Sequence, residues 1–298
     1  MLTTKRIMAT TYNNLYMDIR QELHCAGIDA ATLEARELVA FAAGKTRQEL
    51  LRDGRLYVPQ EVERRARELM RRHLAGEPLA YLIGEWSFCG MDLDINESVL
   101  IPRADTEVLA EQATDFVKTL AEPRVLDLCA GSGCVGLAVA KFCPGSHVVL
   151  GELMEDALRV CRQNIRRSGL TAQVLPWQVD ALAGPPPRFG EFDCIVSNPP
   201  YIPDGDIAGL DVSVREYEPL TALRGGEDAL DFYRAISEKW RTVLHPGSRL
   251  YFEVGIGQAD AVLRIMRGQG FGDIEIVPDT AGIPRVVYGT LHDSVFDS

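Results

Sequence analysis

Three carboxylates and a glycine-rich loop carry the first chemical signal in this 298-residue chain. Asp127, Glu152 and Asp180 each close an apolar run, "RVLD", "HVVLGE" and "VLPWQVD". After the first run, Gly131-Ser132-Gly133-Cys134-Val135-Gly136 fits G-x-G-x-x-G. Glu152 follows about 20 residues on, where the dinucleotide fingerprint expects an acid for a ribose. A nicotinamide-dependent oxidoreductase satisfies that pattern. Asp127 points elsewhere, because a carboxylate just ahead of the loop repels a pyrophosphate and suits a cation. S-adenosylmethionine (AdoMet) carries a sulfonium and an ammonium and no phosphate. Glu152 would then hold the ribose hydroxyls, and Asp180 would accept from the adenine amino group. All three acids fall at strand ends, where open α/β sheets bind ligands.

A second signal is "SNPPYIP", residues 197–203, directly after the apolar run "FDCIV". A strand ends there in stiff, polar and aromatic residues. As loop chemistry alone this would be a proline turn. The tetrapeptide "NPPY" resembles motif IV of amino-methyltransferases that act on planar nitrogens: adenine N6, guanine N2 or a glutamine amide. An amide nitrogen is a poor nucleophile, since its lone pair is delocalised into the carbonyl. The resemblance implies that the Asn198 side-chain carbonyl and the Pro199 backbone carbonyl each accept one N–H of the target. Two acceptors fix its plane and favour charge building on nitrogen. Pro199 and Pro200 restrict the backbone, and Tyr201 offers a ring to the flat group.

The elements that must position these residues follow from the periodicities. From Pro123 onward strands and helices alternate, which predicts a mostly parallel sheet covered on both faces. Strands are expected in "RVLDLCAG", "HVVLGEL", "AQVLPWQVD", "FDCIVSNPP", "SRLYFEVG", "DIEIV" and "RVVYGTL". Only "PDTAGIP" joins the last two, too short for a crossover helix, so the final strand should run antiparallel. That fits a methyltransferase sheet better than a dinucleotide-binding one. Residues 1–80 read as a small helical bundle, with "ATLEARELVAFAAG" and "EVERRARELMRRHLAG" both closed by Gly. Residues 81–107 read as a β-hairpin linker turning near Cys89-Gly90, and 108–298 as the catalytic domain.

Composition narrows the class. No apolar run reaches the ~18 residues of a membrane span, and the N-terminal stretch shows no signal-peptide core, so a cytoplasmic location is expected. Seven cysteines are scattered without CxxC or a His partner, which predicts reduced, buried thiols and no metal. Residues 1–80 hold 13 Lys/Arg against 11 Asp/Glu, and residues 81–298 hold 18 against 32. The basic footprint of a nucleic-acid enzyme is missing.

The whole chain resembles the protein-(glutamine-N5) methyltransferases of class I peptide chain release factors. The match runs through the helical N-terminal part, "LIPRADTE" (100–107), "DLCAGSG" (127–133), "SNPPYIP", "EPLTALRGGEDALDFYRAI" (218–236) and "DTAGIPRVVYG" (279–289). The resemblance implies a class I AdoMet-dependent methyltransferase fold with a seven-stranded sheet. It implies methyl transfer from AdoMet, leaving S-adenosylhomocysteine, to the Gln of a Gly-Gly-Gln motif, an act in translation termination. Cofactor contacts are then expected from Asp127, Cys129, Ala130, Gly131, Ser132, Gly133, Glu152, Asp180, Ala181 and Asn198. The glutamine falls to Asn198, Pro199, Pro200 and Tyr201, with Asn198, Pro199 and Tyr201 catalytic. The partner is a release factor, with no stable nucleic acid, no membrane and a monomeric chain. Cys129 departs from the first Gly that many methyltransferases carry, Glu152 replaces the commoner Asp, and Ala104 a frequent Pro. Against this stand a nucleic-acid amino-methyltransferase, the nicotinamide enzyme, and a non-enzymatic binding module, which leaves NPPY unexplained.

Overall fold

The computed structural model describes residues 10–293; the outer ends of the two expected domains, residues 1–9 and 294–298, lie outside the described residues. The chain divides into two compact units between Gly84 and Glu85. Among its described residues the first holds five helices: α1 (Tyr12–Cys25), α2 (Ala31–Ala43), α3 (Arg47–Arg52), α4 (Gln60–Leu74) and α5 (Leu79–Ile83). Apolar residues at helical spacing, such as Leu15, Ile19 and Leu23 on α1, are fully buried. Helix α2 stops at Gly44, whose φ of 62° a side chain would disfavour, and α3 opens with a Thr46–Glu49 capping box.

The second unit opens with the hairpin β1 (Glu85–Phe88) and β2 (Met91–Asp94). Cys89 and Gly90 turn it with φ of 47° and 66°, the two positive values that a two-residue primed turn requires. The hairpin packs on α8 (Glu155–Arg167), whose Arg167 pairs with Glu85 and Asp94. It therefore belongs to the larger unit by contact, where the sequence reading had a linker. A boundary at 107/108 would cut α6 (Thr106–Val117), a helix that reading did not expect.

The remaining elements are β3 (Arg124–Leu128), α7 (Cys134–Phe142), β4 (His147–Glu152), β5 (Val174–Gln178), β6 (Phe192–Ser197), α9 (Val212–Arg215), α10 (Asp231–Lys239), β7 (Leu244–Glu253), α11 (Ala259–Gly268), β8 (Phe271–Pro278) and β9 (Pro284–Leu291). Seven strands form one sheet in the order β5-β4-β3-β6-β7-β9-β8. Strands β3 to β7 pair in parallel, and β9 runs antiparallel to β7 and β8, as the short connection requires. The central strands β3 and β6 are buried almost end to end, as an apolar strand covered on both faces must be. Strand β5 ends at Gln178, two residues before Asp180, and carries Pro176 at the sheet edge, where a missing donor costs least. Trp240, Tyr233, Phe192 and Phe252 share one buried core cluster, and each of the two phenylalanines is worth roughly 1.5–3 kcal/mol of burial.

Candidate active site

The strand order reverses between β3 and β6. In their parallel register Asp127 faces Val196 and Leu128 faces Ser197. The Ser197 hydroxyl donates to the Leu128 carbonyl at 2.8 Å and clamps the two strand ends. The loop after β3 and the NPPY turn after β6 therefore leave the sheet side by side. A cavity with about 1100 Å³ of empty space, open mouth included, lies over them.

The cofactor half is built by local carboxylate-to-backbone bonds. Asp127 is 2% exposed, and its Oδ2 accepts from the Gly136 N–H at 2.8 Å. Burial pushes its carboxyl up to about 7 against that hydrogen bond, and the Glu152 charge adds to the rise. Glu152 accepts from the Gly131 N–H through Oε2 and from the Met154 N–H through Oε1, both at 2.9 Å. Asp180 accepts from the Leu182 N–H at 2.8 Å. Cys129, Gly131 and Gly133 take φ of 60°, 55° and 82°, so the loop crosses the strand end in left-handed backbone. Cys129 thus sits where glycine is favoured, at a cost of about 1 kcal/mol.

Gly136 answers to packing. A Cβ there would meet Leu150 Cδ2 at 2.4 Å and Asp127 Oδ2 at 3.0 Å. The close approach of α7 to β4 leaves room only for hydrogen. The same geometry opposes the nicotinamide reading. A pyrophosphate binds the free N–H groups of a helix N-terminus, and here the Gly136 N–H is already given to Asp127. The residues fit AdoMet instead. The buried Asp127 could meet its cationic end, Glu152 keeps spare lone pairs that could take hydroxyls, and Leu153 and Met154, 49% and 40% exposed, line the cavity with apolar surface that could take a purine.

Segments distant in sequence brace the loop. Asn164 of α8, fully buried, accepts from the Asp94 N–H of β2 and donates to the Asp94 and Ser132 carbonyls. The hairpin thereby fixes the glycine loop. Trp240 donates to the Ala181 carbonyl at 2.8 Å and sets the loop after β5.

The NPPY half is built differently. Asn198 Nδ2 donates to Thr106 Oγ1 at 3.3 Å, and no described donor reaches its Oδ1. The Tyr201 hydroxyl donates to Glu253 Oε1 at 3.3 Å, and its carbonyl accepts from Gln258 Nε2 at 2.9 Å. Burial, then the Glu253 charge, holds the Tyr201 phenol well above its ordinary value, so it stays a donor. Glu253 is raised by burial too, opposed by Thr106, Arg285 and Tyr201. Gly225 packs its α-carbon against the turn, and a Cβ would meet the Pro200 carbonyl at 2.8 Å.

Of the residues singled out from the sequence, Asp127, Cys129, Ala130, Gly131 and Ser132 line the cavity, with Glu152, Asp180, Ala181, Asn198 and Pro200. Gly133, Pro199 and Tyr201 do not: Gly133 is turned under the loop towards Leu150, and Tyr201 lies against Gly255. Four cysteines are buried, Cys89 and Cys129 are half-buried, and Cys25 is exposed, which corrects the expectation of wholly buried thiols. Burial pushes Cys129, Cys134 and Cys194 far up, so none of these is a thiolate nucleophile. Among the described residues no cluster of His, Cys, Asp and Glu could hold a metal. No helix among them is long and apolar enough to cross a membrane. Sequence reading missed Thr106, Asn164, Glu253 and Gln258, though Thr106 stands within "LIPRADTE".

A sheet of this order, covered by helices and carrying acids and an NPPY turn at the reversal, defines a class I AdoMet-dependent methyltransferase. Solved structures share the fold: a methyltransferase from Pyrococcus furiosus (TM-score 0.51, 17% identity, 76% of this chain and 99% of that one) and the hMettl16 catalytic domain with a MAT2A 3'UTR hairpin (TM-score 0.53, 16% identity, 76% and 84%). The family models for the PrmC N-terminal domain and the methyltransferase small domain match residues 14–84 and 88–211. The release factor glutamine methyltransferase of Geobacter sulfurreducens is 40% identical over 89% of this chain and 91% of its own, and that of Gloeobacter violaceus 39% over 87% and 90%. The chain belongs to the release factor glutamine methyltransferase family.

Proposed function

We propose that this enzyme methylates the side-chain amide nitrogen of the Gly-Gly-Gln glutamine in class I peptide chain release factors, with AdoMet as donor. The observation that carries the reading is the polarity of Asn198: its NH₂ is committed to Thr106, which leaves Oδ1 open at the cavity. When bound, AdoMet supplies an electrophilic methyl on a sulfonium. Asp127, Glu152 and Asp180 would hold its cationic, ribose and adenine parts, with Cys129 to Ser132 and Ala181 along its length. Asn198 Oδ1 accepts one N–H of the substrate amide at the cavity, and the Pro199 carbonyl, although outside the cavity lining, is assigned the other by the NPPY resemblance. As positive charge grows on nitrogen, both acceptors gain strength, which is where a rate gain arises. Pro200 stiffens the turn, and Tyr201, tied at its hydroxyl and its carbonyl, flanks Asn198 as a fixed wall. As the C–N bond forms the C–S bond breaks, and the cationic amide, a strong acid, then sheds one N–H proton to water; the Tyr201 phenol is held too high to be an ionised base for it.

The helical unit, α1 to α5, carries none of these groups, and we assign it recognition of the protein substrate. The reading carries with it a monomeric cytoplasmic enzyme without a stable nucleic-acid or membrane partner. The test is methyl transfer from labelled AdoMet to a purified release factor, with peptide mapping of the label. Label on the glutamine amide is expected; label entering tRNA, rRNA or DNA in its place would overturn the reading.

A further inference from the structure

Glu253 closes β7 beneath the NPPY turn and is 1% exposed. Its Oε1 accepts from the Tyr201 hydroxyl, and its backbone carbonyl accepts from the Tyr233 hydroxyl at 3.0 Å. Its Oε2 is buried and has no hydrogen-bond partner among the described residues. A buried carboxylate oxygen left without a donor is costly, and such atoms are rare in folded proteins.

Thr106, the first residue of α6, is also 1% exposed. Its Oγ1 accepts from Asn198 Nδ2, while its own proton goes to no described acceptor. Arg285 holds the two together: it pairs with Asp105, the residue before Thr106, at 3.2 Å and donates to the carbonyl of Val254, the residue after Glu253, at 3.4 Å, which brings the start of α6 to the end of β7. A donor without an acceptor therefore adjoins an acceptor without a donor. Arg285, which pairs with Asp105 and Asp279, supplies the opposing positive charge near Glu253.

We propose that Thr106 and Glu253 form a positioning relay that sets which end of the Asn198 amide faces the substrate. The Thr106 proton points to Glu253 Oε2, so the Thr106 lone pairs face Asn198. A hydroxyl has one proton, and once that proton goes to the carboxylate only lone pairs remain for Asn198. Asn198 must then present its NH₂ to Thr106 and its carbonyl to the cavity. A flipped amide would set Oδ1 against lone pairs and aim a donor at the substrate N–H. The Tyr201 hydroxyl reaches the other oxygen of the same carboxylate, so both ends of N-P-P-Y are referenced to one buried group. The inference deepens the proposed function and rests on its reading of Asn198.

The test is a double-mutant cycle on kcat at saturating AdoMet with a release factor as substrate. Thr106→Val keeps the shape and removes both hydrogen-bonding roles. It should lower kcat on the order of tenfold, with the AdoMet Kd unchanged. Thr106→Ser should restore most of the loss. In an Asn198→Ala background Thr106→Val should cost nothing further, because the group it orients is gone. Losses that simply add, equal damage from Ser and Val, or an unaffected kcat in Thr106→Val would each overturn the relay. A normal rate for Asn198→Ala would instead overturn the reading on which it rests. Neutron diffraction of the unmodified protein tests the same point without a variant. A deuteron on Thr106 Oγ1 aimed at Glu253 supports the relay, and one aimed at Asn198 sinks it.

Discussion

The two halves of the crevice lie on neighbouring strands and are held by opposite means. The carboxylates of the cofactor half bond close by in the chain or on the next strand, while Asn164 of α8 braces the loop from further off. Asp127 reaches Gly136 nine residues away, and Glu152 reaches Gly131 across the β3–β4 pair. Its conformation is strained, with a cysteine in left-handed backbone. The NPPY turn is unstrained and stiff, yet its side chains are set from afar. Thr106 is 92 residues before Asn198, and Glu253 and Gln258 are 52 and 57 after Tyr201. The cofactor half shapes backbone to approach a ligand, and prolines cannot do that. The substrate half aims two acceptors, and glycines would leave them loose.

If that contrast is right, the largest effect belongs to the aimed acceptor. Asn198→Ala should lower turnover by roughly 10²–10³, about 2.7–4 kcal/mol, as loss of one preorganised partner does. Single-turnover methylation at saturating AdoMet measures it. Asn198→Asp should also fail, because a new charge must be desolvated beside the substrate.

The next effect falls on the cofactor half and is dependent on pH. Asp127→Asn should weaken AdoMet binding by about 1.5–3 kcal/mol, the range for a hydrogen bond to a charged group, as calorimetry would show. Burial pushes the Asp127 carboxyl up to about 7 when no cofactor is bound. AdoMet affinity should therefore rise with pH up to and through 7, as the acid ionises to meet the cation, and Asp127→Asn should flatten that rise. Stability has the opposite sign. The folded carboxyl keeps its proton up to about 7, and the unfolded one releases it near its ordinary value of 3.8. The folded state binds more protons in between, so this group's contribution to stability falls as pH rises across that window. Denaturant midpoints of the two proteins against pH give the check. An unchanged slope in Asp127→Asn would remove the acid from the linkage.

Two glycine-related changes sharpen the contrast further. Gly136→Ala must displace Leu150 or Asp127, and should cost about 1–3 kcal/mol of stability and shift the loop with it. Cys129→Gly should do the reverse on a smaller scale. It relieves the left-handed cysteine and gains about 1 kcal/mol, with AdoMet binding kept or improved. Thermal denaturation with and without AdoMet reads both. A destabilised Cys129→Gly would mean that the thiol's packing outweighs the strain.

The sequence by itself determined the alternating strand and helix pattern, the antiparallel last strand, and the place of Asp127, Glu152 and Asn198 at strand ends. Those follow from local periodicity, a connection too short for a helix, and motifs whose residues are contiguous. Helix α6 was not legible, because it lies directly after a segment that reads as strand and turn. Tyr201 carries a tie that the motif did not announce: its ring was read as packing on the substrate, and its hydroxyl donates to Glu253. Nothing in "LIPRADTE" or "LYFEVG" announces that a threonine and a glutamate meet Asn198 and Tyr201. Asn164 likewise looks like one polar residue on an amphipathic helix, yet it couples the hairpin to the glycine loop. Tertiary structure decided these because a hydrogen bond depends on distance and angle in space. Partners 50 to 90 residues apart leave no period or spacing in the chain from which their meeting could be read.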